Sequence, residues 1–374
     1  MITQLTLKRF KCFERLYMPF KPLTFIAGAN GAGKSSIIQA LLLLIQSCKD
    51  KDYDWKESLV INGELVELDN VLSLYYANSS SDEENIVISV ENDDEDNITF
   101  SIAPKDVDGI ANCITEGDLD NAKKNWPLFD ENFVYLFADR EHPKAKYSKT
   151  AKTRLDSRLG NKSANNVAFL LANEINNNAE IRLPELKHNN VEDYSILRNV
   201  SAWINHIMGG NAALTASEVE KDKEAKLVYS ISNKDGIEQQ YSPLNMPFGH
   251  SYVLPIILAV LTAPKNSIIF IENPESHLHP SAQRRVGEFL AHAAEAGIQI
   301  IIESHSDHLM NGIRIACKHG IINPENVEMD LIITEDDGYT HSRRTIKLNE
   351  DGSVKNLVPG FFDEWENALT CLIS

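Results

Sequence analysis

Gly28-Ala29-Asn30-Gly31-Ala32-Gly33-Lys34-Ser35 is the stretch on which the reading of this chain turns. It fills every fixed position of G-x-x-x-x-G-K-[ST], the phosphate-binding loop pattern. Glycines let the backbone curl until consecutive N–H groups face an anion, and a following helix adds its positive end. The flanks supply that context. LTFIAG (23–28) is a short apolar run ending in glycine, and KSSIIQALLLLIQSC (34–48) carries an apolar face at helical spacing. A chance glycine loop lacks a strand before it and a helix after it. Asn30, Gly31, Ala32, Gly33, Lys34, Ser35 and Ser36 are therefore the candidate nucleotide-binding residues. Lys34 would reach the β- and γ-phosphates and the Ser35 hydroxyl would ligate Mg²⁺.

Upstream, ITQLTLKRF (2–10) alternates apolar and polar residues as a half-buried strand does. Downstream, residues 78–97 are acidic around one alternating strand, IVISV, which reads as an antiparallel lobe with exposed acidic turns. Residues 142–164 are lysine-rich and weakly patterned, a loop. Helical patterns follow at NNVAFLLANEIN and EDYSILRNVSAWINHIM, then a hairpin-like AKLVYSISNKDG. From Ser251 to Leu261 a buried helix is expected. SIIFIE (267–272) and IQIIIE (298–303) are unbroken apolar strands flanking the amphipathic AQRRVGEFLAHAAEA. Such strands suit a parallel sheet buried on both faces, and the alternation of β and α indicates a doubly wound α/β core.

The chain has 374 residues, 43% hydrophobic and 24% charged, with a net charge of −18. That acidity repels nucleic acid and anionic membrane overall, so DNA or RNA contact needs a local basic patch. Lys144, Lys146, Lys149, Lys152, Arg154, Arg158 and Lys162 are the one candidate, opposed only by Asp156 in that stretch. A solvated loop explains them better, so nucleic-acid contact is not favoured. No apolar run reaches bilayer length and the N-terminus lacks a signal-peptide core, so no membrane partner and a cytoplasmic location are expected. Five cysteines without a CxxC pair suit reduced thiols.

Two further anchors follow the strands. The first is Ile268 to Pro280, IIFIENPESHLHP, whose carboxylates end a buried strand where metal and attacking water belong. The second is Ser304-His305, directly after strand 298–303. Residues 268–280 resemble the Walker B and D-loop run of ABC-type ATPases, and His305 resembles their switch histidine. The resemblance puts Glu272 at the metal-binding position, Asn273 where the catalytic glutamate belongs, and Ser276 and His277 in the D-loop. Asn273 is the departure: an amide accepts no proton, and loss of a general base costs about 10²–10⁴-fold in rate. Glu275, two residues on, is the candidate to assist. His277, His279, His305 and His308 also invite a zinc reading, but no cysteine completes a zinc pattern.

With these motifs in order, the chain resembles bacterial AAA-family ATPases of the overcoming-lysogenization-defect (OLD) and RecF-like branch. Its particular likeness is to small proteins with a Glu-Asn-Pro-Glu Walker B and a tail motif PGFFDEWENAL (359–369). The resemblance implies an α/β ABC-type P-loop head: a parallel or mixed sheet flanked by helices, an antiparallel β lobe and a helical insertion. The implied segments are an N-terminal ATPase lobe (1–75), a β lobe with helical and loop insertion (76–240), a C-terminal ATPase lobe (241–345) and a tail (346–374). It implies ATP and Mg²⁺ as ligands and a homodimer closed around ATP. In that dimer Gly249 and Ser251, at the start of the expected helix, and Ser276 and His277 would act in trans. Leu-Ser-Gly-Gly itself is missing from the signature position. Arg9, Phe10 and Phe13 are candidates to pack adenine, with Phe10 equally readable as core. Arg140 would read nucleotide state or pair with a carboxylate.

About 70 residues follow His305, too few for the nuclease domain of larger relatives, so none is expected. The resemblance favours a slow ATPase that controls a separately encoded effector in anti-phage or genome defence. The alternatives are a RecF-like ATPase acting directly on DNA and a non-hydrolysing, ATP-dependent scaffold.

Overall fold

The computed structural model describes residues 1–76, 85–107, 109–140, 142–148, 166–219, 224–356, 358, 360 and 364–373. In chain order the N-terminal elements are β1 (Ile2–Phe10), β2 (Phe13–Pro19), β3 (Leu23–Gly28), α1 (Lys34–Lys49) and β4 (Ser58–Val60). Then come β5 (Ile86–Asn92), β6 (Asn97–Val107), β7 (Ile110–Glu116), α2 (Leu119–Asn125), β8 (Phe133–Leu136) and β9 (Tyr147–Ser148). The middle holds α3 (Asn166–Asn176), α4 (Ile196–Met208), β10 (Ala213–Val219), β11 (Glu224–Ser232) and β12 (Glu238–Tyr241). The C-terminal part runs α5 (Phe248–Thr262), β13 (Ile268–Glu272), α6 (Pro280–Glu295), β14 (Gln299–Glu303), α7 (Asp307–Lys318), β15 (Val327–Thr334), β16 (His341–Ile346) and α8 (Glu364–Ile373).

The central sheet has the order β16-β15-β3-β14-β13-β8. All its pairings are parallel except β15–β16 at the edge. Strands β3, β8, β13 and β14 read as nearly continuous apolar runs because both faces are covered. Leu23, Phe25, Ile269, Ile271, Ile300 and Ile302 face a core shared with α5, α6 and α7. Ile26, Ile268, Phe270 and Ile301 face the opposite core, filled by α1 and an antiparallel sheet ordered β2-β1-β5-β6-β7-β4. Helix α1 is thus sandwiched between two sheets, which explains why Leu41 to Ile45 are all buried. A third sheet, β10-β11-β12 with β9 on β11, joins α3 and α4 against the first core. The mixed α/β head expected from the sequence is the observed fold.

The segment boundaries differ from those expected. β1 pairs with β5, so the antiparallel lobe spans the division at 75/76. β8, from the middle segment, forms the edge of the central sheet beside β13. The lobe begins at residue 2 because the alternating pattern of β1 has one apolar face that only another sheet strand or α1 can cover.

Candidate functional site

The phosphate loop lies where β3 ends and α1 begins, at the carboxyl ends of the parallel strands. Gly33 holds the α1 N-cap with φ 106, a left-handed conformation that glycine adopts without strain. A β-carbon there would also collide with the Cys12 sulfur and come within 2.9 Å of the Phe13 ring. Lys34 is buried, and its Nζ donates to the carbonyls of Gly28 and Ala29, both at 2.9 Å. Burial lowers its pKa, while Glu303 and Glu275 pull it back up. Ser35 is exposed, and its hydroxyl donates to Glu303 Oε1 at 2.9 Å. Asn30 and Gly31 are exposed at the loop tip.

Glu272 ends β13 and Glu303 ends β14, and the two are paired in register across neighbouring parallel strands. Glu272 Oε2 accepts from the Ala138 N–H at 3.2 Å. Tyr135 donates a side-chain hydrogen bond to Glu272; burial first, then Glu272, raises the Tyr135 pKa. Burial above all, and then the charge of Glu272, push the Glu303 carboxyl up to about 7, against the pull of Ser35 and Lys34. Glu303 Oε2 is buried with no hydrogen-bond partner. Glu303 was not singled out by sequence reading. The signal was present, since an ionisable residue closing an unbroken apolar strand must face either solvent or a site.

Asn273 follows in left-handed backbone with φ 44, a region asparagine visits more readily than most residues. Its N–H donates to the Glu303 carbonyl at 2.8 Å, and its own carbonyl accepts from Ser276 N–H at 3.1 Å. Its Oδ1 is buried without a partner. Arg140, left open by the sequence, clamps this turn. One guanidinium nitrogen donates to the Glu272 carbonyl at 2.6 Å and another to the Asn273 carbonyl at 3.1 Å. Among the described residues it pairs directly with backbone and not with a carboxylate oxygen.

Glu275 reaches the switch segment. Its two carboxylate oxygens accept from Ser304 Oγ and from the His305 N–H, each at 2.8 Å. This carboxylate is a tether between the turn after β13 and the residues after β14, and both oxygens are engaged. His305 is exposed beside the phosphate loop, hydrogen-bonded to the Gly28 backbone. Burial and Lys34 lower its pKa, against Glu275 and that hydrogen bond, which keeps the imidazole neutral at pH 7.

Several expected residues lie elsewhere than the sequence placed them. Phe10 is fully buried in the core beneath α1, so its ring offers no face to adenine; Phe13 is buried there too. The Arg9 guanidinium donates to the Asn85 carbonyl at 2.5 and 2.9 Å. Helix α5 starts at Phe248, three residues earlier than expected, so Gly249 and Ser251 sit inside its first turn. Gly249 is buried against its own chain: a β-carbon would come within 2.6 Å of Met208 and 3.0 Å of Leu278. Ser276 and Ser251 are half-buried, and His277 is exposed. The His277 ring packs on Tyr252 at 4.4 Å and lies 5.6 Å from half-exposed Phe248.

The four histidines do not gather. His279 caps α6 by accepting from the Ser281 N–H at 3.3 Å, and His308 lies 3.8 Å from Asp307. Among the described residues no group of three His, Cys, Asp or Glu is arranged to hold a metal by itself. In the basic stretch, Lys146 pairs with Glu224 at 2.6 Å. Lys149, Lys152, Arg154, Arg158 and Lys162 lie outside the described residues, as does most of the PGFFD tail motif. Among the described residues no helix is long and apolar enough to cross a membrane.

Comparison with known proteins agrees with this arrangement. Residues 23–311 match the family model described as "AAA domain, putative AbiEii toxin, Type IV TA system". The chain belongs to that family. This AAA-domain chain is also 44% identical over 59 residues to the Old nuclease of Escherichia phage P2, covering 14% of this chain and 10% of that protein. It is 44% identical over 45 residues to the OLD nuclease of Thermus scotoductus, covering 12% and 8% respectively. It thus spans about a tenth of the length of the curated relatives it matches. Among solved structures it superposes on an SMC head bound to the C-winged helix domain of ScpA, with TM-score 0.57 at 16% identity over 93% of this chain and 98% of that one. The SMC head with an extended coiled coil, bound to the C-terminal domain of ScpA derived from Pyrococcus furiosus, gives 0.54 at 15% identity over 100% and 99%. The head fold and the AAA family together support an ATP-binding ATPase.

Proposed function

We propose that this protein binds Mg-ATP on the 28–35 loop, hydrolyses it slowly, dimerises around it and thereby controls a separate effector. The observation that carries the reading is the convergence, at the ends of β3, β13 and β14, of Lys34, Ser35, Glu272, Glu303, Glu275 and His305. An ammonium, an exposed hydroxyl, a carboxylate pair and a neutral imidazole at one helix N-terminus are what phosphate, metal and attacking water require. The metal fits the donors present: Ser35 and Glu272 offer hard oxygen. When bound, Mg²⁺ would neutralise charge on the β- and γ-phosphate oxygens.

This chain's own residues then divide the work. The loop N–H groups and α1 bind the triphosphate, and Lys34 turns from the loop carbonyls to a phosphate oxygen. Glu275 positions His305 at the γ-phosphate side. Asn273 orients water without taking its proton, which makes hydrolysis slow and ATP holding long. The half-exposed Phe248 beside His277 gives the α5 start an apolar face for a second copy. The defence setting is supported by the family's description and by the OLD nuclease relatives. Direct action on DNA is disfavoured by the charge of −18.

Phosphate release and light-scattering mass with and without Mg-ATP test the proposal. Wild type is expected to turn over slowly and to double in mass with ATP, and Lys34→Ala to do neither. Equal phosphate release by the two would remove the enzymatic reading. A mass unchanged by ATP would remove the dimer.

A further inference from the structure

Resting on that nucleotide reading, we infer that Glu303 is a second carboxylate for the divalent cation, acting with Ser35 and Glu272. Three independent features of the site lead there. The first is placement: Glu303 and Glu272 end adjacent parallel strands in register, so two carboxylates share one edge of the phosphate loop. Like charges placed side by side in a sheet destabilise it unless a cation lies between them.

The second is the unsatisfied oxygen. Glu303 is only 6% exposed, and its Oε2 has no hydrogen-bond partner. A buried carboxylate oxygen left bare is costly and calls for a cation or a donor. The described neighbours supply no further donor to that atom. Lys34 gives its hydrogen bonds to the Gly28 and Ala29 carbonyls.

The third is the orientation of Ser35. Its hydroxyl proton points at Glu303 Oε1, 2.9 Å away. A serine that donates to a carboxylate keeps its oxygen lone pairs free for a metal. The hydrogen bond therefore aims the ligand, and the second oxygen of the same carboxylate remains for the cation itself. Oxygen-only donors suit Mg²⁺ or Mn²⁺, which take one or two carboxylates and complete their shell with phosphate and water. That matches the lack, among the described residues, of any trio able to hold a metal alone. The cation should bind with the nucleotide and not before it.

The competing explanation is that Glu303 merely fixes the Ser35 rotamer. Glu303→Gln separates the two, because the amide still accepts the serine proton but carries no charge. ATP affinity of the full chain is measured by calorimetry in EDTA and in Mg²⁺, with Mn²⁺ retention followed by electron paramagnetic resonance. Glu303→Gln is expected to bind ATP in EDTA at least as well as wild type. It should lose about 10–100-fold of the gain that the cation gives, and a similar factor in Mn²⁺ affinity. Glu303→Asp keeps the charge but withdraws it, and should fall between the two; it also decides the matter if the Gln variant does not fold. Mg-ATP and Mn²⁺ binding equal to wild type in the folded variants would overturn the assignment and leave the nucleotide reading standing. A wild type that binds no ATP in either condition overturns the nucleotide reading and this assignment with it.

Discussion

Replacing Arg140 with methionine should cost little stability and much activity. The guanidinium is 3% exposed. Burial lowers its pKa from 12.5 to about 10, despite the attraction of Glu275, Tyr252 and Glu272. Keeping the charge there is therefore a burden of about 3 kcal/mol. Against it stand the two hydrogen bonds to the Glu272 and Asn273 carbonyls, each worth about 1.5–3 kcal/mol from a charged donor. The difference is a net contribution of about 0–3 kcal/mol. Methionine fills a similar volume and brings no charge, so the urea midpoint should fall only modestly. The turn is another matter. Asn273 sits at φ 44, and without the clamp on its carbonyl the left-handed turn loses one of the bonds that hold it. Glu272 then moves with its own released carbonyl, and a displacement of about 1 Å at a reacting centre costs on the order of 10²-fold. Phosphate release under saturating Mg-ATP, read beside a urea titration, checks both halves. A variant destabilised by more than about 5 kcal/mol, or one that turns over like wild type, would refute this reasoning.

Glu275→Gln should leave ATP affinity unchanged and slow phosphate release by about tenfold or more, because the amide cannot accept from both Ser304 Oγ and the His305 N–H. Unchanged turnover would remove the tether from the mechanism. Gly33→Ala should abolish ATP binding and lower stability by at least about 1–2 kcal/mol, since the methyl meets Cys12 and Phe13 at a φ of 106; ATP binding at wild-type strength would disprove it. Asp330 is fully buried beside Arg343, and burial raises its pKa to about 6 from 3.8. Folding therefore favours its protonated form, and its contribution is fullest below pH 3.8 and lost as pH rises through about 6. The stability of wild type minus that of Asp330→Asn should fall by about 2–3 kcal/mol between pH 3.5 and 7. A pH-independent difference would contradict this.

The parts of this protein legible in its sequence are those where local chemistry determines structure by itself. The 28–35 loop needs its glycines whatever surrounds it. The apolar strands 268–272 and 299–303 need two covered faces, which is enough to name a parallel sheet. Less legible was anything decided by a partner distant in sequence. Phe10 looks like an available ring, but it is buried because β5 pairs β1 and α1 closes over both. Gly249 looks like a loop glycine offered to a phosphate, but Met208 and Leu278 pack on it once α4 and the D-loop meet α5. Glu303 was overlooked for a related reason. Its meaning comes from Ser35, 268 residues away, and from the adjacency of β13 and β14.

Asn273 and Glu303 explain one another. Glu272, Glu275 and Glu303 already bring three carboxylates to this edge, against the cations of Lys34 and Arg140. A fourth at 273 would lie on the turn whose N–H is bonded to the Glu303 carbonyl, in surroundings where Glu303 alone is already pushed up to about 7. Desolvation and like charge both act against another carboxylate there. The backbone agrees, because φ 44 at this position suits asparagine far better than glutamate. The amide is thus the residue that this turn and this charge balance select. The chemical consequence we propose, a site that orients water but does not deprotonate it at 273, rests on the same two constraints. In the proposed mechanism, slow turnover is then built into the end of β13 by the carboxyl group at the end of β14.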